Sequence, residues 1–196
     1  MNVVFPFPTK EYSFRLLEED LQYKKIPPQD VDGVFEKAWQ TGVDAANALI
    51  AERNGNLNFF EILQDYGLQL IEKEKDNVSA KIRFYSEFYP KEKKIKLYNG
   101  SVSLWCDANN LTLYNGKMLI LAHEFYHFLE YLKLGWTSRQ YPVYMLKIGK
   151  FTLGTTGIPA LSEIGANAFA FTCFPYLEME KQTESGENCE ASEEDQ

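Results

Sequence analysis

Leu121-Ala122-His123-Glu124-Phe125-Tyr126-His127 is the stretch from which the rest of the chain is read. It lies in residues 117–134, where Met118, Leu119, Leu121, Ala122, Phe125, Phe128, Leu129 and Leu132 predict a helix with a broad apolar surface. Gly135 supplies its stop. Residues four apart on a helix share one face, so His123 and His127 can reach a single metal ion. Glu124 follows the first of them and can lean over an open coordination position, where it takes a proton from metal-bound water. Zinc brings the pKa of that water towards neutrality, and the glutamate can hand the proton to a leaving amine. The chain has only two histidines. Two placed at random fall four apart roughly once in a hundred times, so the spacing argues against a buried helix that carries them by accident.

A tetrahedral zinc with one open position needs a third protein ligand. With no third histidine available, that ligand is a carboxylate or, less readily, a cysteine. Glu163 is the candidate. It stands near the start of a small, apolar helix opened by Pro159 and closed by Pro175, among Ala160, Leu161, Ile164, Ala166, Ala168 and Phe169. Asn167, one turn later, can hydrogen-bond the free ring nitrogen of a ligating histidine. An acid in a first turn also complements the helix dipole without any metal. Glu130 is the rival ligand, because it shares the face of His123 and His127. Three ligands from one helix would crowd the metal on one side, which leaves Glu130 a supporting or solvated role. Cys173 reads as a small core residue. Tyr126, Tyr141, Tyr144 and Arg139 are candidates for stabilising an oxyanion, and the sequence does not choose among them.

Working outward, residues 1–29 carry little periodicity and end in Ile26-Pro27-Pro28, which reads as an extended N-terminal lead-in. A helix is expected from Asp30 to the Asn54-Gly55 stop, and a short one capped by Asn58 with Glu61 three residues on, ended by Gly67. The period then falls to two. Residues 68–74, 81–89, 94–98 and 101–105 read as strands, the last two joined at Asn99-Gly100 as a hairpin. Residues 154–157, Gly-Thr-Thr-Gly, read as loop. One domain is expected over 30–180, followed by a disordered acidic tail over 181–196. The expected class is α+β: a small twisted, mostly antiparallel sheet packed against the His-Glu-x-x-His helix and further helices. A net charge of -8 with no basic stripe argues against direct nucleic-acid binding. No apolar run is long enough for a bilayer, so no membrane association is expected. Cys106, Cys173 and Cys189 are few, odd in number and far apart. They form no disulfide framework and, with no signal peptide evident, the expected compartment is the cytoplasm.

Residues 58–175 resemble the ImmA/IrrE-type zinc metallopeptidases, a gluzincin-like group. The resemblance runs from a short helix ending in Tyr66-Gly67, through strands, to the His-Glu-x-x-His helix and a Glu-x-x-Ala-Asn-x-Phe-Ala stretch from Glu163 to Ala170. It implies a zincin-like fold and one zinc per chain held by His123, His127 and Glu163, with Glu124 as the general base. Asn167 would then stand beside the ligands and bond one of them. It further implies a metalloendopeptidase acting on a specific protein, such as a repressor or other regulator. The alternative is a zinc-binding regulatory protein with a peptidase-like fold and little proteolysis. The family commonly has glycine just before the second histidine, where this chain has Tyr126. It often has an acid just before the Ala-Asn pair, where this chain has Gly165. The oligomeric state, and any counterpart of residues 1–57, are not implied.

Overall fold

The computed structural model describes residues 6–148 and 151–180. The first element among the described residues is a helix, α1 (Lys10–Glu19), where the sequence suggests an extended lead-in. Only Ser13 and Leu17 of α1 are buried, too few to leave an apolar stripe in the sequence. The long helix α2 (Val31–Glu52) follows, burying Val31, Val34, Phe35, Ala38 and further residues at helical spacing. Asn58 caps α3 (Phe59–Asp65), its side chain accepting from the amides of Phe60 and Glu61. Gly67, at φ 69°, turns the chain out of it.

The strands β1 (Gln69–Lys73), β2 (Asn77–Ser79), β3 (Ile82–Phe84), β4 (Ser86–Tyr89) and β5 (Lys94–Tyr98) come next. They do not form one mostly antiparallel sheet. The main sheet is mixed, in the order β1-β5-β4, with β1 parallel and β4 antiparallel to β5, while β2 and β3 form a separate ribbon. The expected strand over 81–89 is therefore split at Tyr85 between two partners, which alternation alone does not reveal. β4 is one of the two edge strands of the main sheet.

The hairpin expected at Asn99-Gly100 is also replaced. These residues open a helix, α4 (Asn99–Ala108), directly after β5. The Asn99 amide donates to Glu72 and Glu74 at 2.9 Å each. A side chain at Gly100 would come 2.4 Å from the Asp76 carboxylate. Long-range contacts with β1 and the turn after it thus fix a dipeptide whose local preference is a tight turn. The helix α5 (Leu113–Leu129) starts earlier than its apolar pattern suggests, because the Thr112 hydroxyl caps it at the Asn115 amide. It runs on into a wider turn over Glu130–Leu134 before Gly135. A hairpin of β6 (Val143–Ile148) and β7 (Phe151–Thr156) follows, so residues 154–156, expected as loop, end a strand while Gly157 lies outside it, and Phe151 and Leu153 are exposed on the hairpin. The last helix, α6 (Pro159–Cys173), matches its sequence reading. The expected tail over 181–196 lies outside the described residues.

α6 is apolar on all sides because it separates two cores. Ala160, Leu161, Ile164 and Ala168 join Phe35, Ala38 and Trp39 of α2 and Leu17 of α1. Ala166, Phe169, Ala170 and Cys173 join α3, α5 and the sheet. At Gly42 the backbones of α2 and α6 come so close that a Cβ would stand 2.1 Å from the Gly165 carbonyl oxygen. The N-terminus of α6 is capped from far away, its Ala160 amide donating to the Asp20 carboxylate at 3.0 Å. None of the described helices is long and apolar enough to cross a membrane.

Candidate metal centre

α5 sets His123 and His127 one turn apart, with ring centroids 5.1 Å from each other. α6 brings Glu163 to the same point from across the cleft. His123 Nε2 lies 3.3 Å from Glu163 Oε2, and His127 Nε2 lies 3.5 Å from Glu163 Oε1. Tetrahedral zinc with bonds of about 2.0–2.2 Å separates its ligand atoms by about 3.3–3.6 Å, and each imidazole stands at that spacing from one oxygen of the carboxylate. The three residues offer ligand atoms all within 4.8 Å of one another and could hold a metal ion. Their donor set, two imidazoles and one carboxylate, suits zinc.

The surroundings fit a cation as well. The cleft, of about 490 Å³, is lined by four carboxylates (Glu87, Glu124, Glu130 and Glu163) and by no lysine or arginine. Burial opposes a charge on His127, but the bond to Glu130 and the charges of Glu163, Glu124 and Glu130 outweigh it and lift its pKa to about 9. Burial likewise opposes the charge on Glu163, yet His123 and His127 hold its carboxyl down at about 2. Without a metal the carboxylate thus bridges two imidazoles.

Glu124 is nearly buried, at 9% exposure, and faces the cleft, where its carboxylate accepts a hydrogen bond from the Ser86 hydroxyl. Ser86, Glu87 and Phe88 of β4 form one wall and Trp136 and Ser138 part of another. Sequence reasoning missed these residues, since an alternating strand and an irregular loop give no sign of which cleft they border.

The role expected of Asn167 is performed elsewhere. Asn167 is buried, and its amide donates to the Ser13 hydroxyl of α1 at 3.4 Å. The carboxylate beside His127 Nδ1 is Glu130, at 3.1 Å. Glu130 is therefore neither a solvated side chain nor one of the converging three, and it is 1% exposed. His123 Nδ1 is buried with no hydrogen-bond partner among the described residues, and the His123 ring stacks on Phe7 at 5.5 Å and 14°. None of the four candidate oxyanion stabilisers lines the cleft. Tyr126 is fully buried with its hydroxyl on Thr137, Tyr141 bonds Asp30, and Tyr144 is exposed on β6. Cys173 is wholly buried, as expected of a core residue, and burial pushes its thiol pKa up.

Fold and site together define an α+β chain with a two-histidine, one-glutamate cluster of metal-binding type. Comparison with protein-family models, with characterised proteins and with solved structures finds no match.

Proposed function

We propose that the chain is a zinc-dependent metallopeptidase of zincin-like architecture, with His123, His127 and Glu163 as ligands and Glu124 as general base. The observation that carries this reading is the convergence of three ligand groups from two helices, with Glu124 beside them in an open cleft. A zinc ion bound there supplies Lewis acidity and a water of near-neutral pKa. Glu124 accepts a proton on its carboxylate and returns it to the departing nitrogen of the substrate. The Ser86 hydroxyl holds that carboxylate on the cleft side of α5. A purely structural zinc site has no use for such a base. Support for a peptide substrate comes from β4, an edge strand whose residues border the cleft and whose outer side can take up an extended chain.

The test is hydrolysis of a peptide library by zinc-loaded protein. Cleavage is expected to stop on chelation and return with zinc. Glu124→Gln should keep the metal and lower the rate by about 10²–10⁴-fold. Cleavage that survives either treatment contradicts the assignment.

A further inference from the structure

Glu130 is a fully buried carboxylate that the chemistry above does not use. An ionised carboxylate inside a protein is retained only where donors surround it. Three do so here. The Thr137 amide and the Ser162 hydroxyl donate to Oε1 at 2.7 and 2.8 Å, and His127 Nδ1 stands 3.1 Å from Oε2. These partners come from three parts of the chain that must agree for the centre to form. His127 is a ligand on α5, Ser162 directly precedes Glu163 on α6, and Thr137 begins the loop bordering the cleft. Thr137 is in turn bonded through its hydroxyl to Tyr126, 2.6 Å away.

We infer that Glu130 is a positioning residue for the metal centre, acting through His127 and Ser162 and not on the metal itself. A carboxylate at Nδ1 keeps the His127 proton on that nitrogen and turns the Nε2 lone pair towards Glu163. The same carboxylate, through Ser162, fixes how far α6 stands from α5 and so where Glu163 meets the two histidines. His123 has no equivalent partner among the described residues, and its ring rests on Phe7. The geometry of the centre is therefore set from the His127 side. The inference rests on the metal centre proposed above.

The experiment is cobalt(II) titration of the full chain, followed by the visible absorption of the bound ion and by displacement with zinc. Glu130→Gln keeps the shape and the acceptor for Thr137 and Ser162 but removes the charge facing His127. It should weaken cobalt binding by about 10–100-fold and alter the absorption band, with an unchanged far-ultraviolet circular dichroism spectrum. Ser162→Ala, which leaves the His127 contact in place, should give a smaller loss and a smaller spectral change. Wild-type affinity and spectrum in Glu130→Gln overturn the inference alone. Should that variant fail to fold, Ser162→Ala decides, and an unaltered affinity and spectrum there overturn it. A wild-type chain that takes up neither cobalt nor zinc overturns the metal centre and this inference with it.

Discussion

His127 must lose its proton to bind a metal, yet its neighbours favour the charged form up to about pH 9. Zinc affinity should therefore climb with pH, by close to tenfold per unit below about 9, and level off above it. A flat profile between pH 6 and 9 would show that His127 is not a ligand. The metal-free protein should behave differently. The raised pKa of His127 stabilises the fold fully below its ordinary 6.5, and that contribution is lost as pH rises through about 9. The depressed pKa of Glu163 stabilises it above the ordinary 4.5, and that contribution is lost as pH falls through about 2. Both are complete between about 4.5 and 6.5, where urea unfolding of the metal-free chain should show this pair's largest effect. Glu163→Ala should abolish the carboxylate's own part of the effect, leave the part of the His127 shift that Glu130 causes, and reduce zinc affinity by ~100-fold or more, as measured by competition with a chelator. Unchanged affinity would move the third ligand elsewhere. At this scale the sequence was informative where chemistry demands fixed spacing, as with His123, Glu124 and His127. It was silent on Ser86 and on the Glu130–Ser162 bond, which depend on how separate elements meet.

Tyr126 and Gly165 face each other across the α5–α6 interface. A Cβ at Gly165 would lie 2.3 Å from the Tyr126 hydroxyl oxygen and 2.6 Å from the ring carbon that carries it. The large residue on one helix thus requires the smallest on the other. Gly165→Ala should destabilise the fold by about 1–3 kcal/mol, read as a lower urea midpoint. An unchanged midpoint would mean that the helices separate freely. The cap on α6 makes a second prediction for this scale. Asp20→Ala should cost about 0.5–2 kcal/mol, because the carboxylate serves the first turn of the helix that carries Glu163. The long helices were legible because each buries a periodic set of apolar side chains. α1 was not, with two buried residues, and Asn99-Gly100 misled because Glu72, Glu74 and Asp76 outweigh its local turn preference.

Across the whole molecule, two hydrophobic cores meet at α6, and Glu163, the proposed third ligand, stands near the start of that shared wall. α5 belongs to one core and α1 to the other, while α2, like α6, contributes to both. A metal held between α5 and α6 would tie the two together. Zinc should then raise the melting temperature, with a stabilisation of about 2.7 kcal/mol at a hundred times its dissociation constant, and chelation should reverse it. The α+β class was legible from element types alone. The mixed strand order and the packing of α1 against α6 were not, since they rest on contacts between residues far apart in sequence. The central claim is tested most directly by a crystal structure of the chain grown with zinc, read by anomalous scattering. The account predicts one zinc per chain, about 2.0–2.2 Å from His123, His127 and Glu163, with the remaining position open beside Glu124. Zinc absent from this cleft, or bound there without Glu163, would contradict it.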